Sequence, residues 1–274
     1  MVNIAVLTNK TKDKSLMVAE KVVAYLSERA QVYMPDDCKL CTDFGVKYMS
    51  YNQIFDVADV AIVIGGDGTI LRAATDCAKS NVPALGINLG TVGFLTEVEV
   101  ADIETSLGKL LAGEYTKEKR MLLRATINGE ESCDVLNDIV VSKRDHQQLI
   151  HLDLYADGEL VYHYKADGLI IATPTGSTGY SISAGGPVVD PKLDLYIATP
   201  ICAHMLLARS AVLPAECELE IRLGRLDAII SADGLKQRII TSDDVVKIVK
   251  SEYEFELIKI GDSSFYNTLI NKLS

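Results

Sequence analysis

No apolar run in this chain approaches the roughly 18 residues needed to cross a bilayer. The stretch from Met1 holds only a short apolar segment before Lys10, Lys12, Asp13 and Lys14, which reads as a first strand and not an export signal. Positive charge is also scarce. There are 27 Lys and Arg against 38 Asp and Glu, a net charge of −11. Such a chain repels nucleic-acid backbones and anionic membrane surfaces at long range, so neither is expected as a partner. A small anionic ligand stays open, because a local nest of backbone amides holds phosphate whatever the global charge. Of the six cysteines only Cys38 and Cys41 are spaced CxxC, and no second CxxC or HxxxH completes a zinc set. We read them as reduced thiols of a cytoplasmic protein, with Cys38 and Cys41 free in a surface segment after Pro35-Asp36-Asp37. His146, His151, His163 and His204 do not pair at ligand spacing, and no dense Asp/Glu/His cluster marks a metal cage. Ser177 lies in Gly176-Ser177-Thr178-Gly179, which is not a GxSxG elbow, so a serine hydrolase is rejected. Internal repeats, low-complexity stretches and long linkers are missing.

What is there fits two globular domains. The chain has 274 residues, 48% hydrophobic and 24% charged, and about 150 residues is a usual domain. The first part alternates strands and helices: apolar runs at 3–7, 57–64 and 83–88, helical stripes at 15–29, 71–79 and 101–111. That order predicts an α/β domain with a parallel, Rossmann-like sheet over 1–119. From Arg120 the pattern turns to strands at 121–127, 135–142, 149–155 and 160–164, with Asn128-Gly129 and Asp157-Gly158 as hairpin signals. Further strands are expected at 218–223, 227–231 and 244–250. This predicts a mostly-β domain over 120–256, a layered sheet or sandwich, and a helical tail within 257–274 that returns to the first domain.

Three stretches carry chemistry. Gly65-Gly66-Asp67-Gly68-Thr69 ends an apolar strand and opens a helix, the place where an α/β sheet presents its ligand crevice. Glycines let backbone amides approach phosphate, and the helix start adds partial positive charge. Asp67 is out of place in a bare phosphate cradle. It suits a proton acceptor for an attacking hydroxyl, a magnesium ligand, or a simple cap in a tight turn. Arg72, one turn on, could reach a phosphate. The second stretch, Asp167 to Pro187, runs from a buried strand into a dense series of Gly, Ser and Thr suited to a polar ligand rich in oxygens. The third is Asn137-Asp138, which interrupts an apolar strand. An amide and a carboxylate side by side can take ribose hydroxyls, although a strand edge or bulge would leave the same mark.

GGDGTILRAA, LND, DGLIIATPTGSTGYSISAGGPVVDP and PICAHMLLARSAVLP, in this order and spacing, resemble the motif set of NAD kinases over roughly residues 57–270. GGDG alone is shared with diacylglycerol and sphingosine kinases and with 6-phosphofructokinases. TPTGSTGYSISAGGP is the discriminating stretch. The resemblance implies transfer of a phosphoryl group from ATP, or from polyphosphate, to the 2′-hydroxyl of the adenosine ribose of NAD, giving NADP. It implies Asp67 as proton acceptor, and Gly66 and Gly68 along phosphates. Asn137 and Asp138 match the pair that holds NAD, with Asp138 where many relatives have Glu. Asp167 matches an aspartate at the nicotinamide end, and Phe94 an aromatic near the adenine. Thr178, Gly179, Tyr180, Ser181, Ile182 and Ser183 match the loop around the dinucleotide, with Gly179 where alanine is usual. Lys165 stands where arginine is common, and Gln148 at a variable contact. After Asp233-Gly234 relatives commonly carry Gln; this chain has Leu235, with Gln237 further on. Magnesium or another divalent cation is expected to arrive with ATP, the metal-binding side chains being left unassigned. A homodimer or homotetramer is implied by the resemblance. A lipid kinase and a non-catalytic NAD sensor are the competing readings.

Overall fold

The computed structural model describes every residue except 91–92, 146–147, 205–208, 262–263 and 274, with backbone alone at 131, 236 and 273. His146 and four residues of the PICAHMLLARSAVLP stretch therefore lie outside the described residues. The chain divides into two compact units, Met1–Lys119 with Glu254–Ser274, and Arg120–Tyr253.

The first unit is built on parallel strands: β1 (Asn3–Thr8), β2 (Gln31–Pro35), β3 (Lys47–Met49), β4 (Val60–Gly65), β5 (Ala84–Asn88) and β6 (Val98–Glu99). Their order is β3-β2-β1-β4-β5, with β6 beside β5. The helices are α1 (Met17–Leu26), the short α2 (Tyr51–Ile54), α3 (Asp67–Lys79) and α4 (Ile103–Ala112). On one face, the buried stripe of α1 packs with Ile103, Leu107 and Leu110 of α4 onto Ile4, Val6, Ile62, Leu85 and Ile87. On the other face, α3 comes so close to β5 that a Cβ on Gly86 would meet Ile70 Cδ1 at 2.5 Å. Helices thus cover both faces, as the βαβα order predicts.

Two helix boundaries differ from expectation. The expected helix at 15–29 starts at Met17, because Ser15 and Leu16 sit in the left-handed region at φ 58° and 56° and break the helical path. The helix expected at 71 starts at Asp67, so Asp67, Gly68 and Thr69 open its first turn behind Gly66 as the cap. Cys38 is also a correction. It is 4% exposed and packs into the core of this unit, and burial, reinforced by the neighbouring Asp37 charge, pushes its thiol up to about 11. Of the two, Cys41 is on the surface.

The chain enters the second unit within β7 (Thr116–Ile127) and leaves it within a long strand near the end. Between them run β8 (Glu131–Val135), β9 (Asp138–Lys143), β10 (Ile150–Ala156), β11 (Glu159–Ala166) and β12 (Gly168–Ala172). The short helix α5 (Tyr180–Ser183) follows. Then come β13 (Leu195–Ile201), β14 (Ala211–Pro214), β15 (Leu219–Leu223), β16 (Ala228–Ala232), β17 (Lys236–Ile240) and β18 (Val245–Lys259). One antiparallel sheet runs β14-β13-β12-β9-β16-β17; β11-β10-β15-β18 forms a second antiparallel layer. Leu152, Leu154, Ile221 and Val246 from the second layer share one core with Ile139, Val141, Leu169 and Ile171 from the first. The layered, mostly-β reading therefore holds.

Asn128-Gly129 and Asp157-Gly158 sit at positive φ between paired strands, as the hairpin signals predict. The single strand expected at 135–142 is instead two. It breaks at Leu136-Asn137, because β8 pairs with β7 while β9 crosses into the other sheet. The tail forms α6 (Phe265–Leu273) within the first unit, its Phe265 ring 5.9 Å from Phe94. Among the described residues no helix is long and apolar enough to cross a membrane.

Candidate active site

In the first unit Asp67 stands at the very start of α3, after Gly66 in extended conformation. Its carboxylate does not cap its own helix. Oδ2 accepts the Phe94 N–H at 2.8 Å and Oδ1 accepts the Leu95 N–H at 3.0 Å. Each oxygen keeps a second lone pair for another proton donor. The Lys272 ammonium of α6 lies 3.9 Å from Oδ2 and 4.5 Å from the centre of the Phe94 ring.

Two glycines near Asp67, Gly65 and Gly93, are there for space. A Cβ on Gly65 would stand 2.2 Å from Thr69 Oγ1, and one on Gly93 2.0 Å from Asp67 Oδ1. Gly93→Ala must therefore push the Asp67 carboxylate off its two backbone donors. If Asp67 is the proton acceptor that the resemblance implies, a displacement near 1 Å there costs on the order of 100-fold. We expect Gly93→Ala to lower kcat by about that factor, checked by steady-state kinetics beside a thermal melt. Gly68 has open space around its Cα, and Arg72 is exposed on the same helix.

In the second unit a cleft of about 410 Å³ is lined by Asn137, Asp138, Tyr180, Asp233 and Gln237, among others. Asp233 organises it. It lies in the tight turn between β16 and β17, at φ 48° with Gly234 at 66°. From there its carboxylate accepts three backbone N–H groups: Leu136 at 2.9 Å, Asn137 at 2.8 Å and Asp138 at 3.0 Å. The break between β8 and β9 is thus pinned from the opposite hairpin. The resemblance left Asp233 and Gln237 without a role. The signal was present: Asp-Gly marks a turn, and its carboxylate needs donors. Which donors it finds depends on β16 lying beside β9, a pairing remote in sequence.

Asp138 is 6% exposed, and no hydrogen bond or ion pair to its side chain is formed among the described residues. Burial, then the charge of Asp233, push its carboxyl up to about 7. Burial also raises Asp233, against the pull of its three backbone donors. Unfolded, Asp138 titrates near 3.8. Between these values the folded chain holds the extra proton, so the group favours folding at acid pH and opposes it as pH rises through 7. Asp138→Asn is therefore expected to stabilise the ligand-free protein at pH 8 by roughly 1–4 kcal/mol, with the gain shrinking toward zero near pH 4. Denaturant melts of both proteins at several pH values check the sign.

The loop after β12 is locked to the same break. Thr173 N–H donates to Asn137 O at 2.8 Å, and its hydroxyl donates to Leu136 O at 2.6 Å. Gly176 has no room for a side chain, since a Cβ would lie 2.1 Å from Asn137 O. At Gly179 a Cβ would lie 3.2 Å from Gly176 O and at ordinary contact distance from Asn137 Nδ2 (3.4 Å) and Asp138 Oδ2 (3.8 Å), so the alanine that the resemblance implies here would crowd its own turn and only touch the pair. Thr178 turns its hydroxyl back onto Thr175 O at 3.3 Å. Tyr180 is 48% exposed and lines the cleft. Ser181 is fully buried, its hydroxyl 3.1 Å from Thr199 Oγ1, so only its backbone can serve a ligand; Ile182 is half-buried and Ser183 exposed. Asp167 forms an ion pair with Lys143 at 2.6 Å. Lys143 and Gln148 line a separate cleft of about 550 Å³, and Lys165 is exposed on β11. Among the described residues no three His, Cys, Asp or Glu side chains converge on a metal position.

The chain matches the ATP-NAD kinase N-terminal domain over residues 4–115 and the ATP-NAD kinase C-terminal domain over residues 136–260. It is 39% identical to an NAD kinase of Caldanaerobacter subterraneus, covering 100% of this chain and 99% of that one. It is 37% identical to an NAD kinase of Moorella thermoacetica, covering 100% and 89%. Among solved structures, an Archaeoglobus fulgidus NAD kinase in complex with ATP is similar at a TM-score of 0.77 and 28% identity, over 99% of this chain and 98% of that chain. A yeast NADH kinase complexed with NADH shares the fold at a TM-score of 0.90 and 23% identity, over 100% and 87%. With both domains matched and close relatives spanning its whole length, the chain belongs to the NAD kinase family and is an enzyme of that family.

Proposed function

We propose that this enzyme moves the terminal phosphoryl group of ATP, or of polyphosphate, onto the 2′-hydroxyl of the adenosine ribose of NAD. The observation that carries the reading is Asp67, an aspartate at the first turn of a glycine-flanked helix, fixed through both oxygens with a lone pair left on each. The ribose oxygen attacks the γ-phosphorus, the bond from that phosphorus to the β-bridging oxygen breaks, and ADP leaves. The hydroxyl proton passes to Asp67. Such transfer through a loose transition state needs positioning and charge neutralisation more than covalent chemistry. Gly66 and Gly68 then lie along phosphates, and Arg72 neutralises charge.

Asn137 and Asp138 hold the ribose hydroxyls, with Tyr180 against a ring and residues 178–183 around the dinucleotide. Phe94 serves the adenine side, and Asp167, Lys165 and Gln148 the remaining contacts. Asp138 supports this reading as a buried carboxylate whose acceptors are unclaimed. The described side chains form no cage for magnesium. Magnesium or another divalent cation would arrive with the donor and neutralise its phosphates. A cytoplasmic homodimer or homotetramer completes the proposal, and sedimentation measures the assembly.

The test is an end-point assay with NAD, magnesium and ATP, coupled to an NADP-specific dehydrogenase, with polyphosphate in a parallel well. NADP formation is the expected result. No NADP from either donor despite NAD binding by calorimetry would leave an NAD sensor; no NAD binding would reopen the lipid kinase.

A further inference from the structure

Phe265 and Lys272 are seven residues apart on α6, two helical turns, and so share a face. Both meet the same partner. The Phe265 ring lies 5.9 Å from the Phe94 ring, and the Lys272 ammonium stands 4.5 Å from the centre of that ring. Seven residues span about 10 Å of helix axis. The lysine stem therefore runs back toward the helix start, the direction in which helical side chains lean. Phe94 in turn gives its N–H to Asp67. One residue thus anchors the carboxylate with its backbone and seats the ammonium on its ring.

The ammonium is placed but not used. Asp67 Oδ2 is 3.9 Å away, beyond hydrogen-bond distance. Lys272 makes no hydrogen bond among the described residues, so its three N–H groups are unclaimed. It is the one ion-pair partner of Asp67 among the described residues. The two side chains are 28% and 30% exposed, enough to meet a ligand and too little to swing freely. A hydroxyl that gives its proton to Asp67 stands about 3 Å from the same carboxylate. The phosphoryl group it attacks is then brought beside an anion, and the two repel. A cation at this spot offsets that repulsion, and the flexible lysine stem lets it follow the group as it moves.

We propose that Lys272 receives the transferred phosphoryl group, donating to its oxygens as the bond to the acceptor hydroxyl forms and holding the finished 2′-phosphate of NADP beside Asp67. The inference rests on the NAD kinase reading above and adds a residue that has no role in it. Lys272 gives up no proton and forms no covalent bond; the bonds made and broken are those of the phosphoryl transfer alone. Its contribution is charge and hydrogen bonding to a group that the product carries and the substrate lacks. Lys272 therefore tells NADP from NAD, which differ only by that phosphate.

The experiment is calorimetric titration of the full chain with NAD and, separately, with NADP, for the wild type, Lys272→Ala and Lys272→Arg. Steady-state kinetics and thermal melts run in parallel. In Lys272→Ala we expect Kd for NADP to rise about tenfold, the value of a charge-assisted hydrogen bond, with Kd for NAD unchanged. Its kcat falls at least about tenfold, as charge stabilisation of the transition state is lost. Lys272→Arg keeps the charge and recovers most of the NADP affinity. A lysine that only packs α6 against Phe94 would weaken both dinucleotides together or neither. Either result overturns the proposal, as does a wild type that does not bind NADP. NADP formation by the wild type beside such a result leaves the NAD kinase reading standing. No NADP formation from any donor, together with NADP binding that weakens selectively in Lys272→Ala, would sink that reading and keep the phosphate contact.

Discussion

Asp67→Asn is expected to lower kcat by about 10²–10⁴-fold, the range for loss of a general base, while NAD binding stays largely intact. The substitution is nearly isosteric. The amide oxygen still accepts one of the two N–H groups, from Phe94 or Leu95, but the amide nitrogen now faces the other donor. A loss of about 1 kcal/mol in stability should accompany it. That is too little to unfold a protein of ordinary stability. What disappears is the proton acceptor and the charge that keeps it ready. Steady-state kinetics with a calorimetric NAD titration separate the two effects. Normal turnover in Asp67→Asn would remove Asp67 from the base role and leave it as a staple for the 93–95 turn.

Asp233→Ala should be the most disruptive single change in the second unit. It orphans three backbone N–H groups at once, those of Leu136, Asn137 and Asp138, and places alanine at a left-handed φ. A buried donor without a partner costs about 1–3 kcal/mol. Part of that is offset, because Asp233 is itself a half-buried carboxylate that gives up solvent contact. A net loss of roughly 2–4 kcal/mol is expected, together with a rise in KM for NAD of at least tenfold, on the order expected for a mispositioned ribose contact. The variant carries a second signature. With the Asp233 charge gone, the Asp138 carboxyl falls back toward the ordinary range, and the loss of stability between pH 5 and 8 becomes shallower. A purely structural role would lower the melting temperature and leave that slope alone. Unchanged melting and unchanged KM for NAD would show that the break at Leu136-Asn137 holds itself.

Much of this was legible before any coordinates. The parallel sheet follows from apolar runs alternating with helical stripes, and the hairpins at Asn128-Gly129 and Asp157-Gly158 from residues that tolerate positive φ. These are short-range properties. A strand or a type I′ turn is chosen by a few neighbouring residues. The start of α1 was not legible, because nothing in Ser15-Leu16 announces a left-handed pair. The burial of Cys38 was hidden too: a thiol after Pro-Asp-Asp looks like surface until the core folds over it.

For the site, residue types and spacing were enough to single out Asp67 and the Asn137-Asp138 pair, since glycines and carboxylates at a strand end have few bland uses. They could not show that Asp67 is stapled by the backbone of Phe94 and Leu95, or that Asn137 falls at a break between two sheets. Nor could they show that Asp233, some ninety-five positions away, holds that break. The sequence by itself determined which groups are available for chemistry and which segments are strands, helices and tight turns. The tertiary structure alone decided which backbone donors meet which carboxylates, and therefore which acids are pinned, which is raised toward neutrality and which are left free. The physical reason is that charge and hydrogen bonding act over a few ångströms of space, and only the packed sheets bring residues distant in the chain within that reach.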